Sequence, residues 1–419
     1  MDMVETLLTA LFSQGAFANA TPGKLIMIIV GIVFIVLAVR KNYEPFLLVP
    51  IGFGIIVGNI PFQEGLDVGI YEPGTVFNTF FQGVMKGLYP PIIFLGVGAM
   101  TDFSAMLSNP KLIMLGAAAQ LGIFTTFCLG VGILPSIFAS DPTLMKGIVD
   151  AVQVGPDGVS AVYNASDITA SVIAEASQKL SAAIGIIGGA DGPTSIFVAS
   201  KLAPTYLGAI AVAGYSYMAL IPVVQPPVVH MLTTKSQRLR QMKARPPVSK
   251  RMLMIFPVMG FILTSSLAPG ALPLLGMLFF GNFLKECGVT DRLGKTACNA
   301  LLDIITIVLG MSVGMSTDAS RFLTPVSLAI FGMGAAAFAF STAGGVLFAH
   351  IMNLFLPEDE KVNPIIGAAG VSAVPGAARV AHVIGTTEDP SNFLITHAMA
   401  PNVAGVIGSA VAAGIFLSM

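Results

Sequence analysis

The residues best suited to chemistry stand in the run IGIIGGADGPTSIFVASKLAP (184–204). Asp191 is the one carboxylate between Glu175 and Glu286; Gly188-Gly189 precede it and Gly192-Pro193-Thr194 follow it. Glycine frees the backbone and proline near a helix start needs no N–H partner, so this spacing predicts a helix interrupted within an apolar stretch. Such an interruption exposes carbonyls and amide ends that can hold an ion. Asp191 then reads as a ligand for a hard cation or a proton carrier. The plainer role, N-cap of the second half-helix, is compatible with either.

A second run, NPIIGAAGVSAVPGAARVAH (363–382), has the same shape without the acid, Gly370 standing where Asp191 would align. Asn363 and Ser372 offer oxygen ligands and Arg379 a fixed positive charge, although Arg379 could equally be a snorkelling charge. Asn363 and Gly367 share a helix face until Pro375 interrupts the turn. If the two broken helices cross, Asp191 is expected beside Asn363 and Ser372. In a third run, YSYMALIPVVQPP (215–227), Tyr217 lies well inside an apolar stretch. Its hydroxyl would need a partner there and could relay a proton, unless it is an interfacial anchor.

These runs need a membrane to make sense. Of 419 residues, 55% are hydrophobic and 10% charged, and the mean hydropathy is +0.85. A soluble domain carries about 25% charged residues. Runs such as LIMIIVGIVFIVLAV (25–39) are uncharged and long enough to approach a bilayer span. Twelve apolar segments are predicted, near 25–39, 46–60, 85–100, 112–138, 181–202, 205–232, 251–267, 271–284, 296–315, 326–352, 363–385 and 393–418. The expected fold is therefore an all-α polytopic membrane protein with about 11–12 membrane segments. Residues 1–24 begin with Asp2 and Glu5, against a signal peptide, and read as an interfacial helix.

The stretch 233–251, TTKSQRLRQMKARPPVSKR, holds seven of the 21 basic residues and no acid, which places it on the cytoplasmic side. It separates two repeats, 25–232 and 252–419. Pro50 and Gly58-Asn59 recur as Pro273 and Gly281-Asn282; Thr101-Asp102-Phe103-Ser104 recurs as Thr317-Asp318-Ala319-Ser320. The paired Thr-Asp motifs read as helix caps. The first repeat is longer by a polar insertion at about 140–178, placed outside the bilayer as a loop or surface helix. If the short segments 46–60 and 271–284 are re-entrant, each half crosses five times and the repeats are inverted; otherwise they are parallel. Asp303 is an unexpected acid, placed near the head of its span with Lys295 as its partner.

A net charge of −1 argues against a nucleic-acid partner. Cys128, Cys287 and Cys298, and the histidines 230, 350, 382 and 397, lack metal-ligand spacing, and no hydrolase triad, Walker loop or dinucleotide fingerprint is suitably placed.

Four motifs in order, GGADGPT, YSYMAL…QPP, NPIIGAAGVSAVPGAARV and HAMAPNVAGVIGSAVAAG, resemble the β subunits of sodium-translocating, biotin-dependent decarboxylases acting on oxaloacetate, methylmalonyl-CoA or glutaconyl-CoA. The resemblance covers nearly the whole chain from residue 24. It implies a multisubunit pump in a bacterial inner membrane, with a soluble carboxyltransferase, a biotin carrier and a small single-span subunit as partners, and a homotrimeric membrane subunit. That subunit would release CO2 from carboxybiotin, consume an outer proton and drive Na+ outward. Carried over by motif, Asp191, Asn363, Gly367 and Ser372 correspond to Na+ ligands. Asp191, Tyr217, Ser372 and Arg379 correspond to catalytic residues, with Arg379 and Asn363 toward carboxybiotin. The rival expectation is a stand-alone Na+-coupled transporter of a small carboxylate, which would need no biotinylated partner.

Overall fold

In a computed structural model, residues 20–62, 67–140, 170–243, 247–373 and 375–419 are described, and every regular element among them is helical. The expectations for residues 1–19 and for most of the 140–178 insertion lie outside the described residues. The end of that insertion, from Ala170, is the first turns of a helix that continues to Gly185.

The principal helices are α1 (Pro22–Lys41), α2 (Pro45–Asn59), α3 (Val76–Met85), α4 (Tyr89–Met100), α5 (Pro110–Phe138), α6 (Ala170–Gly185), α7 (Gly192–Leu202), α8 (Leu207–Ala219) and α9 (Ile221–Leu232). After the basic stretch come α10 (Lys250–Leu267), α11 (Leu272–Glu286), α12 (Asp291–Met315), α13 (Pro325–Phe355), α14 (Gly376–Glu388) and α15 (Ile395–Ser418). Their starts follow local chemistry. Thr21, Thr75, Ser249 and Thr324 each accept a backbone N–H from the first turn, and Pro22, Pro45 and Pro325 occupy positions where a missing N–H costs nothing.

Every predicted apolar segment contains helix, and, as expected for a fold with broken and re-entrant pieces, only some of them are long continuous spans. Six helices are long and apolar enough to cross a membrane: α1, α5, α10, α12, α13 and α15. Two bent pairs, α3–α4 (69°) and α8–α9 (64°), raise the number to eight. The remainder fall short because α2 and α11 have only 15 residues each, and because the segments at 181–202 and 363–385 are broken rather than continuous. Side chains such as Ile29, Leu263 and Leu354 project outward, 61%, 64% and 81% exposed. Around a water-soluble protein such a girdle would drive aggregation; against lipid it is the matched surface.

The recurring motifs mark a reciprocal exchange between the halves. Helix α2 of the first half packs on α12 of the second, and α11 of the second packs on α4 of the first. The buried amide of Asn59 donates to the carbonyls of Ile55 (2.9 Å) and Thr317 (2.9 Å) and accepts from the Ala319 N–H (3.0 Å). Its counterpart Asn282 donates to Gly98 (3.3 Å) and Thr101 (2.9 Å). Asp102 and Asp318 each accept the N–H of the serine two residues on, so both Thr-Asp motifs are local caps. Because Asn59 makes three bonds at zero exposure, Asn59→Ala is expected to cost about 1–3 kcal/mol for each polar group left unpaired. A detergent-solubilised Asn59→Ala protein that melts at the unaltered temperature would refute the cross-lock.

The basic stretch lies over the second broken segment rather than standing free. Arg238 Nε pairs with Glu388 at 2.6 Å and Arg240 with Glu358 at 2.9 Å. The backbone between them receives two amides, from Asn363 and Asn392.

Candidate functional site

The first interruption is built as its sequence predicts. Helix α6 tightens into a 3₁₀ turn over Ile186–Gly189, Ala190 takes a left-handed conformation (φ 52°), and Asp191 is extended before α7 begins. One oxygen of Asp191 accepts the Thr194 N–H at 3.1 Å, the capping bond. Its other oxygen accepts the Ser409 hydroxyl at 2.7 Å. Asp191 is 5% exposed, so a carboxylate is held deep in the apolar bundle by a helix start and one hydroxyl.

The second interruption arrives from the opposite side. A 3₁₀ run, Pro364–Gly370, gives way to extended Val371–Ser372–Ala373 before α14. Asn402 of α15 holds this extended stretch by donating to the carbonyls of Ala369 (2.9 Å) and Val371 (2.7 Å). Ser372 donates twice to the carbonyl of Gly189, from its N–H at 2.7 Å and from its hydroxyl at 2.8 Å. The two interruptions therefore meet in the protein interior, at Gly189 and Ser372, with Gly189 two residues before the buried acid.

Beside this crossing opens a cavity of about 600 Å³. Asp191, Ser372 and Tyr215 line its inner wall, and Glu44 and Asp303 bring two further carboxylates. The rest is apolar, with Phe94, Val97 and Met218 among the lining side chains. Glu44 stands at the N-cap position of α2 in a left-handed conformation (φ 37°), its side chain making no capping bond. Burial pushes its carboxyl above the usual carboxylate range, and the Arg379 guanidinium partly pulls it back. Asp303 sits in mid-α12, two residues past a π-helical turn at Ala297–Leu301, and faces this cavity. The expected position at the head of the span beside Lys295 is therefore corrected.

Of the residues singled out in the sequence, Asp191 and Ser372 are brought together. Asn363 and Arg379 are not brought to Asp191 by any described hydrogen bond. The Asn363 amide donates to the carbonyls of Arg238 (2.9 Å) and Arg240 (2.8 Å), and its oxygen accepts the Ile365 N–H (3.0 Å). It is the cap of the 3₁₀ run, and its bonding capacity is spent on the basic stretch. Gly367 is buried backbone-to-backbone against Gly345 of α13. Arg379 is exposed, in the electrostatic field of Glu44. Tyr217 donates to the Phe331 carbonyl at 2.5 Å and does not line the cavity.

Sequence reasoning missed Ser409 and Asn402. The signal was present: two polar residues seven apart on the same face of α15, within the apolar stretch that follows Thr396 and His397. One acceptor, Asn402 Oδ1, is buried without a partner beside the extended segment. At the crossing itself, Asp191, Ser372 and Ser409 offer oxygen atoms only, the kind of ligand that suits a hard cation such as Na+.

An ionisable group at the crossing of two broken helices, with hydroxyls around it and an apolar girdle outside, defines an ion-translocating membrane protein. Comparison with known proteins gives the family. The profile of the Na+-transporting oxaloacetate decarboxylase β subunit matches residues 23–178 and 165–419. The methylmalonyl-CoA decarboxylase β subunit of Propionigenium modestum is 46% identical across the whole of both chains. The glutaconyl-CoA decarboxylase β subunit of Acidaminococcus fermentans is 43% identical over 100% of this chain and 99% of its own. A probable oxaloacetate decarboxylase β chain of Vibrio cholerae is 44% identical over 94% and 95%. The chain belongs to the β-subunit family of Na+-transporting decarboxylases. It is the multi-pass membrane subunit of a sodium-pumping decarboxylase complex.

Proposed function

We propose that the cavity receives the carboxylated ureido ring of a biotin group carried by a partner subunit, that CO2 is released there, and that the step is coupled to outward movement of Na+ past Asp191. The observation carrying this reading is the placement of Asp191: a buried carboxylate bonded to the Ser409 hydroxyl, on the wall of a cavity large enough for a small ring. Desolvation of the carboxyl group in a largely apolar cavity favours loss of CO2, and a proton must reach the ureido nitrogen. Na+ entering the Asp191–Ser372–Ser409 cluster would lend the charge that is lost when that proton is consumed.

Arg379 lies within electrostatic reach of Glu44, which lines the cavity, and is assigned to steering the anionic carboxyl group toward it. For Asn363 and Gly367 the contacts support a different task from direct ligation: they fix the shape of the second broken segment, which in turn presents Ser372. We further assign the partners as a biotin carrier, a soluble carboxyltransferase and a small single-span subunit, the membrane as the bacterial inner membrane, the repeats as inverted and the assembly as a homotrimer. The acid decarboxylated upstream is chosen by the carboxyltransferase, consistent with relatives that serve three different acids.

Purification of the native complex on avidin in mild detergent tests the central assignment. This chain is expected to co-elute with a biotinylated protein, and the eluate to release CO2 from one of the three acids only when Na+ is supplied. Elution of this chain in the unbound fraction, with no biotinylated companion, would defeat it.

A further inference from the structure

Asp303 stands at the middle of α12, a span of 25 residues, and it is exposed. A carboxylate at that depth is very costly against lipid, so its exposure is to the cavity, whose wall it joins together with Thr306. Residues three apart on a helix share a face, with Cβ atoms about 5–6 Å from one another. The π-helical turn at Ala297–Leu301 brings this face to the cavity, because an extra residue in one turn resets the phase of everything after it by about 100°.

Neither side chain is spent inside the protein. Asp102, Asp191 and Asp318 each accept an N–H of their own turn, whereas Asp303 has no hydrogen-bond or ion-pair partner among the described residues. Hydroxyls inside helices ordinarily fold back on the carbonyl four residues earlier, as Thr264 does on Gly260 (2.7 Å) and Thr342 on Phe338 (3.0 Å). Thr306 makes no such bond. Helix α12 thus presents a carboxylate and an uncommitted hydroxyl side by side, both lining the space the ligand would fill.

A cyclic urea carboxylated on one nitrogen keeps two recognition groups at its other edge: a carbonyl oxygen, which accepts, and an N–H, which donates. We propose that α12 reads this edge, Asp303 accepting the free ring N–H and the Thr306 hydroxyl donating to the ring carbonyl. This rests on the cavity being the carboxybiotin site and names the residues that hold the ring in it. The two bonds do different work. The N–H of the ring is present throughout, so Asp303 binds and orients. As the N–C bond to the carboxyl group breaks and CO2 departs, the electron pair spreads through the ring nitrogen onto the carbonyl oxygen. The Thr306 bond therefore strengthens in the transition state, and the proton consumed afterwards restores the nitrogen to N–H.

The test uses the complex assembled with an unbiotinylated carrier, so that equilibrium binding of added biocytin, the biotin–lysine conjugate, can be followed; CO2 release is followed in the biotinylated complex. Asp303→Leu is expected to weaken biocytin binding by about tenfold or more, and Asp303→Asn, which keeps an acceptor oxygen, to restore it to within about threefold. Thr306→Val should leave biocytin binding within about threefold yet slow CO2 release about 100-fold, as a bond made mainly in the transition state requires. Half-saturating Na+ should stay within about threefold in all three, and the melting temperatures should not fall, since neither group has a structural partner. Unchanged biocytin binding in Asp303→Leu, unchanged CO2 release in Thr306→Val, or a rise of about tenfold in half-saturating Na+ in Asp303→Asn would each overturn the proposal. Val97→Trp puts bulk into the same cavity from α4 and separates the two levels. Biocytin binding that ignores Val97→Trp means the cavity itself is misassigned; binding lost in Val97→Trp but intact in Asp303→Leu means that this inference alone fails.

Discussion

Asp191→Asn is expected to abolish Na+-dependent CO2 release in the reconstituted complex while leaving the fold in place. The asparagine oxygen can still accept the Thr194 N–H, and its amide can donate to the Ser409 oxygen, so both local contacts of the aspartate survive in altered polarity. What disappears is the negative charge. Two unit charges about 4 Å apart in a medium of effective dielectric about 20 attract by about 4 kcal/mol, which corresponds to roughly 10³-fold in cation affinity. Replacing one neutral ligand removes much less, so Ser409→Ala should weaken half-saturating Na+ by only about tenfold, the loss of a hydrogen bond or ligand near 1.4 kcal/mol. The measurement is CO2 release and Na+ uptake in proteoliposomes. Retained coupling in Asp191→Asn would remove the acid from the transport path altogether.

The second large effect belongs to a residue with no functional group. In Gly367→Ala the new methyl carbon would sit 2.2 Å from the carbonyl oxygen of Gly345, and in Gly345→Ala it would sit 2.0 Å from the oxygen of Gly367. Neither obstacle is the tip of a flexible side chain; both are backbone, so the 3₁₀ run and α13 must separate. Overpacking of this kind costs about 1–3 kcal/mol where a side chain can yield and more where it cannot. Both variants should therefore express poorly, melt early and lose CO2 release. The comparison separates two roles for Gly367. As a carbonyl ligand it would be unharmed by alanine, which keeps the carbonyl, and Gly345→Ala would be harmless too. Normal melting of both proteins would argue that the close approach is not what position 367 requires.

Much of this architecture is legible in the sequence because the determinants are local. Gly188-Gly189 followed at once by Asp191 and Pro193 combine a helix stop with a helix start, and the absence of charge over 25–39 commits that segment to lipid. The Gly-Asn and Thr-Asp repeats also advertise themselves, although their meaning, an asparagine of one half capping the turn of the other, needs the tertiary fold. What the sequence withholds is direction. Asn363 and Ser372 are nine residues apart in one run, yet one bonds to the basic stretch and the other to Gly189, because the chain goes from a 3₁₀ turn to an extended segment between them. Tyr215 and Tyr217 look equivalent until α8 is rotated into place. Asp303 appears to belong to the head of its helix until the long α12 is seen to begin at Asp291.

The exchange of α2 and α11 between the halves also bears on how the protein is made. Asn59 leaves the ribosome 258 residues before the carbonyl it must meet. At about 5–20 residues per second, a nascent chain waits roughly 13–50 s with that helix undocked. Neither half can mature by itself during synthesis, and the insertion machinery must shelter the early helices until the late ones emerge.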